Sequence, residues 1–233
     1  MTHWKLWARG PVERTLDPGR PLLASWEGST HPAKLRLNAY LEDVTRGLIP
    51  LPPAPRLYLH LDVDVEEPDR LLRHYDLENY LTPLFEKPGL PPERFALVSA
   101  RKKVGDGSRI VCGPAEQGTA ETGDWSHFSA NAGSGTDKPV WKEGLAKRLA
   151  ESSPTPLPPG PAAVRLAWRC SSRRNWTMLW KPTGDAMGPV LGVADPRQPF
   201  NPNDDRIVDL ELHRVVDDSL GHDVIVGMWW RAA

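Results

Sequence analysis

Cysteine is scarce in this chain: Cys112 and Cys170 are the only two in 233 residues, and neither sits in a CxxC pair. A disulfide framework and a cysteine-ligated zinc cluster are thereby excluded, and each thiol reads as a small buried hydrophobe. An excess of one charge is lacking too, since 29 Lys and Arg face 30 Asp and Glu for a net charge of −1. A general basic coat for nucleic acid is excluded, so any such site has to be a local patch. No apolar run approaches the roughly 20 residues of a membrane helix, and the opening MTHWKLWARG has no signal-peptide core. The expectation is a cytoplasmic protein with no membrane partner. No GKS/T follows the glycines at Gly105–Gly107 or Gly133–Gly135, and no GxSxG spacing marks a nucleophile triad.

What the chain has in quantity is 25 Pro, 19 Gly and 10 Trp, and it repeats itself. LPPAP at Leu51–Pro55 returns as LPPGP at Leu157–Pro161. Before the first copy, Leu37, Leu41, Val44 and Leu48 mark the apolar stripe of an amphipathic helix; before the second, Trp141, Leu145 and Leu149 do the same. After each copy comes an alternating strand. RLYLHLDVDV puts Leu57, Leu59, Leu61, Val63 and Val65 on one face, and Tyr58, His60, Asp62 and Asp64 on the other. AVRLAWRC puts Val164, Leu166, Trp168 and Cys170 opposite Arg165 and Arg169. The proline-rich segments are stiff spacers between helix and strand.

Downstream, DLENYLTP at Asp76–Pro83 matches NWTMLWKP at Asn175–Pro182 in spacing. Each is followed by a loop and by two strand patterns around a polar, Gly-containing turn, which predicts an antiparallel hairpin. The fold class predicted is α+β, with two units of helix, strand, helix and hairpin at about 1–114 and 115–233. The stretch Gly113–Gly135 serves as junction or loop.

The second copy carries KPTGDAM at Lys181–Met187 and NDDRIVDLELHR at Asn203–Arg214, and the first carries DLENYLTPLFE at Asp76–Glu86. Laid over one another, these segments resemble the signature of the RusA-type Holliday junction resolvases, small α+β magnesium-dependent endonucleases that act as homodimers. The resemblance implies a fused pseudo-dimer that binds branched DNA and, where active, cuts it with Mg²⁺. It assigns catalysis to Asp76, Glu78 and Lys181, and metal binding to Asp76, Glu78, Glu93 and Asp205, with Asp204 and Asp205 able to form a second, weaker acidic site. Thr82 stands where the first copy's Lys belongs, and Asn175 and Thr177 replace the second copy's paired acids. One composite site could draw its acids from one copy and its lysine from the other. Otherwise the protein is a degenerate relative, a non-enzymatic subunit or interaction module with a protein partner.

The chemistry behind these assignments is general. Phosphodiester cleavage needs charge neutralisation at phosphorus and a hydroxide nucleophile; carboxylate-held Mg²⁺ provides both, and a lysine adds positive charge. From Pro161 to Gly184 the chain has five basic residues and no acid. Arg165, Arg169, Arg173, Arg174 and Trp176 are therefore candidates for phosphate and base contacts, extended by Arg101 and Lys102. The row His60, Asp62, Asp64 reads either as a metal-binding strand face or as a solvated one. In MWWR at Met228–Arg231, adjacent tryptophans face opposite ways, so at least one is expected exposed or in an interface.

Overall fold

The computed structural model describes residues 4–24, 27–65, 67–72, 76–86, 89–105, 107–118, 123–134 and 138–233. Both amphipathic stripes form helices. In α1 (Pro32–Leu48), Leu37, Leu41, Val44 and Leu48 are buried, and the His31 side chain caps the first turn by accepting the Ala33 N–H. In α3 (Lys138–Glu151), the buried positions are Trp141, Leu145 and Leu149. Extended proline-rich connections then deliver the chain to β3 (Leu57–Asp64) and β7 (Ala162–Cys170).

The connections are clamped in the same manner. Arg94 donates to the carbonyls of Pro52 and Ala54, both at 2.9 Å. Arg206 donates to the carbonyls of Pro158 and Gly160. Each arginine closes a short 3-10 turn, Pro92–Arg94 before β4 (Phe95–Lys103) and Asp204–Arg206 before β8 (Ile207–Val216). A proline-rich segment has few N–H groups to offer, so its carbonyls need outside donors, and a guanidinium supplies several at once.

The other elements are β1 (Trp7–Arg9), β2 (Arg14–Leu16), α2 (Leu77–Leu81), β5 (Arg109–Gln117), β6 (Ser126–Asn131), α4 (Trp180–Asp185), α5 (Gly188–Leu191) and β9 (Ile225–Ala232). The nine described strands make one mixed sheet in the order β1-β5-β3-β4-β8-β7-β9-β6, with β2 also pairing β5. The chain is thus α+β. β3 runs parallel to β4 and antiparallel to β5; β7 runs parallel to β8 and antiparallel to β9. β4 and β8 pair antiparallel at the centre, Ala100 opposite Leu210.

This order corrects the expected hairpins. β4 and β5 are antiparallel but unpaired, because β3 lies between them, and β7 separates β8 from β9 in the same way. The end of β3 shows how the chain crosses over. The Asp64 carboxylate accepts the N–H groups of Gly105 and Gly107 at 3.0 and 2.8 Å, and the Asp64 N–H donates to Ser108 Oγ. Those glycines have φ of +91° and +69°, a conformation side-chain-bearing residues resist, so the turn arches over the strand end rather than closing on its neighbour. Asp106 of that turn lies outside the described residues. The stretch expected as a junction holds the last part of β5 and all of β6.

The five described α-helices cover one face of the sheet. Leu57, Leu59, Leu61 and Val63 of β3 and Val164, Leu166, Trp168 and Cys170 of β7 share one core with the helical stripes, as their alternation predicts. The opposite face was read as open to solvent in one of the two alternatives, and the structure corrects this. The segment from Trp4 to Arg9 lies across it: Trp7 donates its backbone N–H to His213 Nδ1 and its indole N–H to the Arg214 carbonyl. Trp4, Leu6 and Trp229 form a small core there, and Tyr58, Leu97 and Val111 another. His60 and Asp62 are consequently buried. Neither Trp229 nor Trp230 is exposed: Trp230 joins the helical side, and Trp229 packs edge-on to Trp4 and stacks on His127.

Candidate functional site

The two halves of the sequence meet in an acidic cluster at one end of the β4–β8 pair. Asp76 begins α2 with the extended backbone of an N-cap, yet its carboxyl makes no capping bond. It accepts the Asn79 amide at 2.9 Å and is hydrogen-bonded to Asp204, just before β8. Glu78, in the first turn of α2, stands among Lys181, Asp185, Asp204 and Asp76. Lys181, the second residue of α4, reaches Asp185 at 2.9 Å and Asp204 at 3.6 Å. Lys142 of α3 adds a second contact to Asp185 at 3.7 Å. Asp76 and Glu78 of one half and Lys181 of the other are therefore brought together, the placement that the composite alternative requires.

Lys102 belongs to the same cluster. Successive strand residues point to opposite faces, so Arg101 and Lys102 cannot share a surface. Arg101 turns to the back and pairs with Asp209 at 2.9 Å. Lys102 turns to the helical side, is buried, and donates to the Asp205 carbonyl. Asp204 and Asp205 are thus part of this cluster rather than a second acidic site. Glu93 does not join it: Arg214 of β8 takes the Glu93 carbonyl at 3.2 Å, at the opposite end of the antiparallel β4–β8 pair. With β4 spanning Phe95–Lys103 and a rise of about 3.3 Å per residue, Glu93 is on the order of 25 Å from Asp205.

Burial and crowding set the ionisation. Burial, opposed by Lys181, pushes the Glu78 carboxyl up to about 8. Burial also raises Asp76 and Asp204; Asp205 adds to the rise at Asp76 and Asp76 to the rise at Asp204, while Lys181 works against both. Lys102 moves the other way, down to about 8, because burial costs its ammonium more than Asp76 and Asp205 return. Lys181 is held above the ordinary lysine range; burial opposes this, and Glu78, Asp204 and Asp185 outweigh it. Buried acids pushed toward their protonated forms beside charged lysines mark a site whose ionisation costs stability.

The donor set suits a hard cation: carboxylates and a backbone carbonyl, with no sulfur or imidazole. As placed, though, the lysines hold these oxygens, and among the described residues no three His, Cys, Asp or Glu side chains close on a common point. A divalent ion would displace the Lys181 ammonium from Asp204 to draw on Asp76, Glu78 and Asp204. Beneath the acids lies an apolar cavity lined by Leu77, Trp180, Met187 and Leu210, and the buried Trp180 indole N–H has no hydrogen-bond partner among the described residues.

The other basic candidates are dispersed. Arg165 is tied to Glu211 at 2.6 Å and lies over Trp125 on the back of the sheet, and Arg169 lies over Trp4. Trp176 is fully buried between Trp168 and Trp180, its N–H on the Pro92 carbonyl, and has no ring face for a base. Arg173 is exposed and Arg174 half-buried, both beyond β7 and away from the acids. Asp64 holds the turn after β4, so the His60–Asp62–Asp64 row is not gathered around an ion. The sequence reading set Lys102 beside Arg101 on a phosphate-binding surface, although its parity with Val98 and Ala100 along β4 points it to the helical side and the acids. No protein-family model matches the chain, and no curated protein is similar to it in sequence.

Proposed function

We propose that the chain is a tandem pair of RusA-like units, fused as a pseudo-dimer through β4 and β8, that acts on branched DNA at one composite, metal-dependent site. The duplication is supported by the order of elements, β2-α1-β3-α2-β4-β5 against β6-α3-β7-α4-β8-β9, and by identical pairing senses in each half. The matched Arg94 and Arg206 clamps support it at the level of single side chains.

The observation that carries the functional reading is the meeting of Asp76 and Glu78 with Lys181 and Asp204. Asp76, Glu78 and Asp204 are the residues to hold a divalent ion, which would supply a bound hydroxide and charge neutralisation at phosphorus. The protein's own groups do the remainder. Lys181, its side chain 43% exposed at the rim, is positioned to bind a phosphate oxygen and to balance charge developing there. Lys102 holds the Asp205 backbone and so fixes the turn that presents Asp204.

A second reading, a non-catalytic subunit bound to a protein partner, is favoured by a different observation: Lys102 and Lys181 already neutralise the acids without an ion. The two are separated by cleavage of a labelled four-way DNA junction and a matched linear duplex in roughly 10 mM Mg²⁺, an amount suited to weak carboxylate sites. Junction cutting lost in Asp76→Asn supports the nuclease. Salt-sensitive junction binding without cutting supports a degenerate DNA binder, and neither activity supports the subunit.

A further inference from the structure

The face of the sheet away from the acidic cluster carries its own chain of polar groups. β3 and β4 are parallel in a register that sets His60 beside Ser99, and Asp62 follows two residues on, pointing to the same side. Ser99 Oγ lies 2.9 Å from His60 Nδ1, and His60 Nε2 lies 3.2 Å from Asp62 Oδ1. One tautomer satisfies both contacts: Nε2–H donates to Asp62, which leaves the Nδ1 lone pair to accept the Ser99 hydroxyl. All three residues are less than a tenth exposed. Lys103 at 3.6 Å and Arg109 at 3.4 Å flank the Asp62 carboxylate.

We propose that Ser99, His60 and Asp62 form a hydrolytic triad, independent of the acidic cluster, that takes a small carboxylic ester from the cavity under the N-terminal strand. Ser99 forms part of the wall of that cavity, about 230 Å³, alongside Trp7, Arg9, Leu97, Arg165 and His213. That is smaller than the roughly 300–1,000 Å³ of drug-sized ligand sites and limits the occupant to a short acyl group. Burial and the nearby Arg9 charge depress His60 to about 4, so it is neutral near pH 7 but a weak base, and the triad is a slow one by this measure. Asp62 is held below the usual carboxylate range; burial opposes this, and His60 and Lys103 outweigh it.

The step balances with water as the only co-reactant. Ser99 Oγ attacks the ester carbonyl as its proton passes to His60 Nδ1. The carbon–alkoxy bond breaks, and the alcohol leaves with that proton. Water then adds to the acyl-serine, giving its proton to His60, and the acid departs as Ser99 recovers its hydrogen. Arg9 is the cavity's positive group for the oxyanion, because Glu211, which also lines the cavity, neutralises Arg165 at 2.6 Å.

The test uses the native chain in chelator, which silences any metal-dependent chemistry. It is treated with a fluorophosphonate and, separately, with p-nitrophenyl acetate, and the adduct is located by tandem mass spectrometry. The triad predicts phosphonylation and acetylation of Ser99. It also predicts that nitrophenolate release falls by about a hundredfold or more in Ser99→Ala and in folded His60→Asn. A native chain unmodified at Ser99 by either reagent, or equal labelling in folded His60→Asn, would overturn the proposal. Localisation on the native chain decides the matter even where a variant fails to fold.

Discussion

At one end of the central β4–β8 pair, Asp76 starts a short helix without capping it, its carboxyl turned across to Asp204. At the other end, Asn175 starts a 3-10 turn and does cap it, its side-chain oxygen accepting the Thr177 N–H at 3.2 Å and hydroxyl at 2.8 Å. Lys102 and Arg214 occupy the same position counted from the first residue of their strands. Lys102 donates to the Asp205 carbonyl among acids; Arg214 donates to the carbonyls of Glu93 and Ser172. The backbone plan is shared, and the polar groups at the Asn175 end are consumed in holding it. At the Asp76 end the carboxyls are withheld from that task and crowded together, a pattern stability alone would not select.

The largest expected effect separates the two ends by activity. Asp76→Asn and Asp204→Asn should each lower junction cleavage by about a hundredfold or more, the scale of disturbed metal ligation. Asn175→Ala and Thr177→Ala should leave it within a few-fold. Equal losses at both ends, read from initial rates on the same substrate, would erase the distinction.

Stability comes next. Glu78 has its folded-state value raised to about 8 against an ordinary 4.5, chiefly by burial. A raised acid binds its proton more tightly when folded, so the penalty is absent below about pH 4.5, grows as pH rises to about 8, and is constant above. Glu78→Gln should therefore match the wild type near pH 4 and exceed it by about 2–4 kcal/mol above pH 8. Urea unfolding at the two pH values measures this, and a gain that does not vary with pH would contradict it.

Arg214→Met at the other end should cost about 1–2 kcal/mol at any pH near neutrality, since two part-buried carbonyls lose their donor. Cleavage by the folded variant should be unaffected. The smallest effect belongs to Arg101→Ala: the Arg101–Asp209 pair is half-exposed, so its loss should shift stability by about 0.5 kcal/mol or less in thermal melts.

Much of this plan was legible in the sequence. The leucine stripe of α1, the tryptophan-led stripe of α3 and the alternation in β3 and β7 need only local periodicity, and all sit on the face predicted. The acids and Lys181 were identifiable by type. What escaped was non-local. Nothing in the turn at Gly105–Gly107 shows that β3 lies between the strands it joins; that follows from the Asp64 bonds at the far end of β3. Glu93 could not be separated from Asp205 without knowing that β4 and β8 run antiparallel. His60 and Asp62 looked solvated because the strand that covers them, Trp7–Arg9, is too short to announce itself.

The central claim is that one end alone of the β4–β8 pair holds a cation. Counting Mn²⁺ bound per chain by electron paramagnetic resonance tests it most directly, on the wild type, Asp76→Asn and Asn175→Ala. The account predicts one ion in the wild type and in Asn175→Ala, and none in Asp76→Asn. No bound ion in the wild type, or an ion retained in Asp76→Asn, would contradict it.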